Sequence, residues 1–107
     1  MISTHILDTS LGHPAQGVSV LLEKKDGDSW IQIGAENTNA DGRILFHCPQ
    51  SAGTYRLQFQ IEEYFKKNKV EPFFLTAPVV FHISDTQRKY HIPLLLNPYG
   101  YSTYRGS

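Results

Sequence analysis

The chain has 107 residues, 40% of them hydrophobic and 19% charged, which is typical of one globular domain with a single core. Ten Lys and Arg residues balance ten Asp and Glu residues, which argues against nucleic acid or a membrane surface as a partner. The single cysteine, Cys48, excludes an internal disulfide and a metal site made of cysteines. Neither a signal peptide nor an apolar span is visible, so we expect a cytoplasmic location. Five histidines are many for so short a chain.

The first half of the chain alternates apolar and polar residues, which is typical of β-strands with one buried face. An Asp-Gly turn at Asp26 and Gly27 predicts a hairpin between the second and third of these strands. The predicted strands cover residues 2–8, 18–23, 30–35, 43–46 and 55–61.

One segment breaks this two-residue period. Residues 62–69 begin with two glutamates and end with lysines, an order that suits the dipole of a short helix. Further strands are predicted at residues 79–84 and 88–96. About eight short strands and one brief helix predict a mostly β protein, a Greek-key β-sandwich forming a single domain over residues 1–107.

The last long strand places a histidine away from the core. Tyr90, Ile92, Leu94 and Leu96 share one face and are predicted to be buried, which puts His91 on the opposite face. A solvated surface histidine is the alternative interpretation. Pro93 lacks a backbone donor, so this strand is predicted to be an edge strand or to pair weakly at that point.

Two more side chains could carry chemistry, and the chain end is unusual. His5 shares a strand face with Ser3 and Leu7, but the pattern leaves open which face of that strand is buried. Arg43 follows an Asp-Gly turn that would aim its guanidinium, although most such arginines are ordinary surface residues. Three tyrosines at positions 99, 101 and 104 predict an ordered, docked C-terminus, because disordered tails are usually small and polar.

Several kinds of catalytic site find no support in the sequence. Zinc sites typically use close pairs of ligands, whereas the nearest two histidines, His5 and His13, are separated by a turn-rich segment. A Gly-x-Ser-x-Gly elbow, a reactive-thiol motif and a glycine-rich phosphate loop are also absent from the sequence. Two possibilities remain: histidine acid–base chemistry without a covalent intermediate, or no catalysis at all. His47 and His82 are interpreted as surface or structural residues.

Several segments together resemble one known family. They are Ser3–Asp8, the turn Gly12–Ala15 with Gly17-Val18, the segment Asn39–Arg43 and the long C-terminal stretch Tyr90–Ser107. The chain is similar in these motifs to the 5-hydroxyisourate hydrolases, the transthyretin-related proteins. The resemblance covers essentially the whole chain, and the terminal Tyr-Arg-Gly-Ser is its most specific motif.

The resemblance implies a transthyretin-like sandwich that hydrolyses the lactam of 5-hydroxyisourate to 2-oxo-4-hydroxy-4-carboxy-5-ureidoimidazoline in urate catabolism. It also implies a homotetramer, a dimer of dimers with active sites in the channel between the dimers, and no metal or organic cofactor. By this resemblance His5, Arg43, His91 and Ser107 are the catalytic residues. The first three, with Tyr104 and Arg105, are the substrate-binding residues.

Hydrolysis of a cyclic amide needs a base for water and stabilisation of the oxyanion that forms. His91 or His5 could be that base because the pKa of an imidazole lies near neutrality, at about 6.5. The Arg43 guanidinium could hold the substrate and the developing charge, and the Ser107 carboxylate could position water or a histidine. A non-catalytic carrier of small molecules with the same fold is the alternative function, and a purely structural domain is a third.

Overall fold

The structure is a computed structural model that describes residues 1–48 and 50–107. Its elements are the strands β1 (Ile2–Asp8), β2 (His13–Pro14), β3 (Ser19–Asp26), β4 (Ser29–Asn37), β5 (Arg43–Phe46) and β6 (Gly53–Gln60), the helix α1 (Ile61–Lys67), and the strands β7 (Thr76–Ile83), β8 (Tyr90–Asn97) and β9 (Gly100–Thr103).

The strands form two sheets. One has the order β2-β1-β8-β9, with β5 also paired to β1, and the other has the order β4-β3-β6-β7. The β1–β8 pair is parallel, and the other pairs are antiparallel. The predicted mostly β fold with two sheets and one short helix is therefore confirmed. The described residues contain nine strands where about eight were predicted. None of the predicted ranges covers β2, which is only two residues long, or β9, which lies in the predicted terminus.

The core lies between the sheets and follows the predicted alternation. On β6, Tyr55, Leu57 and Phe59 are fully buried, and on β8 the predicted inward set from Tyr90 to Leu96 is buried. The face of β1 that the sequence left open is also settled: Ile2 and Ile6 are fully buried, while Ser3 and His5 lie on the partly exposed outer face.

Helix α1 begins one residue earlier and ends two residues earlier than the sequence predicted. It ends because Lys69 adopts a left-handed conformation with φ of 58°. The backbone N–H of Val70 then donates to the carbonyl of Phe65, which closes the helix in the manner of a Schellman motif. Ile61, Tyr64 and Phe65 are the buried residues of this helix.

The prediction that β8 is an edge strand is wrong, because β8 lies between β1 and β9. The alternative, weak pairing at Pro93, is confirmed. Pairing with β9 begins at Leu94, opposite Thr103, and beyond Pro93 the chain end pairs again only through a single bridge between His91 and Gly106. Pro93 has no backbone N–H, and it is tolerated here because the hydrogen-bonded pairing on the β9 side of β8 is interrupted beside it.

Candidate active site

Three adjacent strands bring together side chains that are far apart in sequence. β1 lies between β5 and β8, so His5 is opposite Arg43 on one side and next to Pro93 on the other. Two pairs further along the same ladder, Ser3 lies next to His91. Because these positions share the outer face of the sheet, two imidazoles and a guanidinium are presented on the same surface.

A tight turn fixes the position of Arg43. The Asn39 side-chain oxygen accepts hydrogen bonds from the backbone N–H groups of Asp41 (2.9 Å) and Arg43 (3.0 Å). Gly42 has φ of 71°, and a Cβ there would lie 2.6 Å from the carbonyl oxygen of Ile6. The turn therefore requires glycine, and it starts β5 with Arg43 facing the β1 strand.

The His91 ring is half-buried and bonded to its neighbour on β1. Its Nδ1 lies 2.8 Å from the Ser3 hydroxyl oxygen. Burial lowers the pKa of His91 below its usual 6.5, and the positive charges of Arg43 and His5 lower it further, while a hydrogen bond from the ring to the Ser3 backbone acts in the opposite direction. The net lowering of the pKa keeps this imidazole neutral at neutral pH and able to accept a proton.

The C-terminus is ordered against β8, as the sequence predicted. The Thr103 hydroxyl donates to the carbonyl of Pro93 (2.6 Å), and the Gly106 N–H donates to the carbonyl of His91 (2.8 Å). These bonds bring Ser107, the last residue, to the side of the catalytic candidates on β1 and β5.

Two adjacent grooves meet at His91. The first, with a volume of about 430 Å³, contains three of the predicted catalytic residues, Arg43, His91 and Ser107. The second, with a volume of about 260 Å³, is lined by His91 together with Tyr104 and Arg105, which the resemblance implies as substrate-binding residues. His5 lines neither groove in the single chain and joins the site only as the β1 neighbour of Arg43.

Sequence reasoning missed several residues of these grooves. Ser3, Asn39 and Lys89 line the first groove, and His82 lines the second although it is exposed, as predicted for a surface histidine. Ser3 shares the strand face of His5, so its place on the site surface could have been inferred from the strand period once the buried face was known.

The other two histidines lie outside both grooves. His47 is exposed, and His13 is an exposed residue of β2 whose Nδ1 lies 3.1 Å from the Pro14 carbonyl oxygen. Among residues 1–48 and 50–107, no group of three or more histidine, cysteine or acidic side chains is placed to bind a metal. The expectation that the protein needs no metal or cofactor stays a prediction. No helix in this part of the chain is long and apolar enough to cross a membrane.

The site therefore combines a neutral imidazole, a second imidazole, a guanidinium and Ser107. An imidazole with a lowered pKa can take a proton from water, and a guanidinium can stabilise negative charge on an oxygen. Together these groups can hydrolyse a polar carbonyl compound.

Comparison with known proteins agrees with this description of the site. The model of the HIUase/Transthyretin family matches residues 2–106. The chain belongs to that family. It is 49% identical over 110 residues to the 5-hydroxyisourate hydrolase of Salmonella dublin, an alignment that covers 100% of this chain and 81% of that protein. It is 40% identical over 111 residues to the mouse 5-hydroxyisourate hydrolase, covering 99% of this chain and 94% of that protein.

Solved structures of the family confirm the transthyretin-like fold. The 5-hydroxyisourate hydrolase of Klebsiella pneumoniae superimposes with a TM-score of 0.86 at 41% identity, covering 99% of this chain and 98% of that chain. Sea bream transthyretin in complex with thyroxine superimposes with a TM-score of 0.92 at 34% identity, covering 98% of this chain and 93% of that chain. The same sandwich is thus found in a 5-hydroxyisourate hydrolase and in a transthyretin in complex with thyroxine.

Proposed function

We propose that the protein hydrolyses the lactam ring of 5-hydroxyisourate to 2-oxo-4-hydroxy-4-carboxy-5-ureidoimidazoline in urate degradation. The observation that carries the proposal is the convergence of Arg43, His91 and Ser107 on one groove, with His5 beside Arg43. The choice of substrate rests on the 49% sequence identity to the 5-hydroxyisourate hydrolase of Salmonella dublin, in an alignment that covers 100% of this chain.

In the proposed mechanism, His91 is the base. Its neutral imidazole takes a proton from water as the water oxygen bonds to the lactam carbonyl carbon. Arg43 stabilises the negative charge that develops on the carbonyl oxygen. The carbon–nitrogen bond then breaks, and the leaving nitrogen takes a proton from His5 or from the protonated His91. Ser107 orients the attacking water, while Tyr104 and Arg105 bind the substrate ring.

The active form is proposed to be a homotetramer, a dimer of dimers with the sites in the channel between the dimers. Support comes from the location of the site on an open sheet face rather than in a closed cleft. His5 and Arg43 lie on the outer face of the sheet, and Tyr104 is 58% exposed in the single chain. A second copy facing this surface would complete an enclosed site. The cytoplasmic location stays a prediction.

The test is turnover of freshly generated 5-hydroxyisourate, followed by its ultraviolet decay. We expect His5→Gln, Arg43→Gln and His91→Gln each to lower kcat/KM by roughly a hundredfold or more, because each removes a proton-transfer or charge-stabilising group. His47→Gln makes the same kind of change at an exposed histidine outside both grooves and is expected to leave the rate unchanged. Wild-type rates in all three site variants would contradict the proposal.

The likeness to a transthyretin that holds thyroxine supports a second candidate function, a non-catalytic carrier of small molecules. The same assay separates the two functions. Saturable binding of a purine-like ligand without faster decay of 5-hydroxyisourate would favour the carrier, whereas faster decay that depends on His91 would favour the hydrolase.

A further inference from the structure

The His91 imidazole is held from two sides, by Ser3 and by Gly106. Ser3 and His91 are neighbours in the parallel β1–β8 pair, and the Ser3 hydroxyl oxygen lies 2.8 Å from Nδ1. Gly106 packs against the ring so closely that a Cβ there would lie 2.6 Å from Cδ2 and 3.2 Å from Cγ. The ring atoms left to face the groove are therefore Cε1 and Nε2.

The direction of the bond to Ser3 decides whether Nε2 can act as a base. A neutral imidazole has one N–H and one nitrogen lone pair, and a hydroxyl can donate or accept. If Ser3 donated to Nδ1, the ring proton would be on Nε2, and Nε2 could not take a proton from water. If Ser3 accepts from Nδ1–H, the lone pair is on Nε2 and faces the groove.

The positive charge in the groove favours the second arrangement. Arg43 lines the same groove as His91. A fixed positive charge there interacts better with a nitrogen lone pair than with a second N–H group.

We propose that Ser3 is a positioning residue whose hydroxyl accepts the Nδ1 hydrogen of His91 and so keeps the basic lone pair on Nε2. Gly106 completes the arrangement because only a residue without a side chain leaves space for the ring in this orientation. The kinetic consequence rests on the proposed hydrolase function. The tautomer itself is a property of the free protein and can be tested separately.

The kinetic test compares Ser3→Ala with Ser3→Thr. Removing the hydroxyl is expected to lower kcat roughly tenfold to a hundredfold, because fewer molecules then have the basic lone pair on Nε2, with KM little changed. Threonine keeps a hydroxyl and is expected to restore most of kcat. Ser19→Ala is the matched control, since Ser19 is a similarly half-buried strand serine in the other sheet, and its kcat should equal that of the wild type.

The spectroscopic test needs no substrate. Two-bond ¹H–¹⁵N correlation spectra of the histidine-labelled protein at about pH 8, where a histidine with a pKa near 6.5 is neutral, show which ring nitrogen carries hydrogen. We expect Nδ1–H for His91 in the wild type and in Ser3→Thr, and a shift toward Nε2–H in Ser3→Ala.

Three outcomes separate this inference from the proposed function. An Nε2–H tautomer in the wild type, or a Ser3→Ala variant with an unchanged tautomer and unchanged kcat, would overturn the role of Ser3. If the wild type fails to hydrolyse 5-hydroxyisourate but shows Ser3-dependent Nδ1–H, the role of Ser3 is supported and the proposed function is not.

Discussion

His91 is the proposed base, and its surroundings set its pKa. Its pKa is lowered chiefly by burial and then by the positive charges of Arg43 and His5. Because the basic form is the one that takes a proton from water, the acid limb of the pH–rate profile is expected below the unperturbed pKa of about 6.5. Arg43 is thus proposed to have two effects: it stabilises the oxyanion in the proposed mechanism, and its charge lowers the pKa of His91.

Replacing Arg43 with glutamine separates these effects. Loss of the guanidinium removes one of the charges that lower the pKa of His91, so the pKa should rise toward 6.5 while burial still holds it below that value. The acid limb of kcat/KM and the NMR titration of the His91 ring should both move to higher pH. The residual rate should also be far below that of the wild type.

The control for Arg43→Gln is Lys25→Gln, which removes a positive charge from an exposed position in the other sheet. In this variant the NMR titration of the His91 ring is expected to match that of the wild type. An Arg43→Gln variant with the wild-type pKa at His91 would show that the guanidinium has no influence on this imidazole.

A feature of the site could be predicted from the sequence where it depends on the residue pattern of a single strand, but not where it depends on how distant strands pair. The outward position of His91 follows from the two-residue period of its own strand, and the structure confirms it. The bond between Ser3 and His91 joins residues 88 positions apart, and it exists only because β1 and β8 pair in parallel with one particular register. No local pattern fixes that register. Family resemblance suggested the members of the site but not how the ring is held.

Among the elements, helix α1 is tied to the first strand by one buried hydrogen bond. The Tyr64 hydroxyl donates to the Asp8 carboxylate over 2.7 Å, and Asp8 is only 2% exposed. Burial raises the pKa of Asp8, but hydrogen bonds from Ser10, Tyr64 and the backbone N–H groups of the following turn outweigh it, so the net shift is downward. The carboxylate is therefore stabilised in its ionised form.

Tyr64→Phe removes that hydrogen bond and keeps the ring. The variant should be less stable at pH 7 by roughly 1–3 kcal/mol, the usual cost of taking away one partner of a buried polar group. Since the pKa of Asp8 is lowered in the folded state, its contribution to stability is present above its ordinary value of 3.8 and is lost as the pH falls through the folded value. The stability difference between variant and wild type should therefore narrow at acidic pH.

Urea unfolding at fixed protein concentration, at pH 7 and at a pH below the ordinary Asp8 pKa of 3.8, measures both effects. Tyr101→Phe is the control, because the Tyr101 ring packs edge-on against Phe74 and this contact needs no hydroxyl. If the difference in unfolding free energy between Tyr64→Phe and the wild type did not change with pH, the charge of Asp8 would not contribute to its hydrogen bond with Tyr64.

Element types were predictable where one physical rule dominated. Alternation placed the long strands, and the charge order of residues 62–69 indicated the helix. The position of β8 in its sheet was not predictable from Pro93, because the rule that proline favours an edge assumes an unbroken ladder on both sides. The ladder is interrupted beside Pro93, and the neighbouring pairing comes from the chain end.

For the whole molecule, the outer face of the five-stranded sheet carries an apolar strip beside the polar site. Leu7 and Leu95 lie side by side on this face in the β1–β8 pair, and both are only partly exposed. Pro93, two residues from each of Leu95 and His91, is buried on the same face. An apolar strip next to a polar site is typical of a surface that packs against another copy.

Leu95→Glu tests the proposed tetramer on this strip. A glutamate here would be buried without a partner if two dimers meet over the face, and burying an unpaired charge is far more costly than leaving it in water. We expect the mass in solution, four times 12.2 kDa for a wild-type tetramer, to fall to that of a dimer. The kcat/KM for 5-hydroxyisourate should fall together with the mass. The circular dichroism spectrum should remain that of the wild type.

Leu21→Glu is the matched control for this effect, because it makes the same change at a half-exposed leucine on the outer face of β3, in the other sheet. If the channel between dimers forms over the five-stranded sheet, Leu21→Glu should keep the mass and the rate of the wild type. Tetramers of full activity in Leu95→Glu would place the contact elsewhere. Equal dissociation of both variants would mean that the added charge acts on the fold in general rather than on one face.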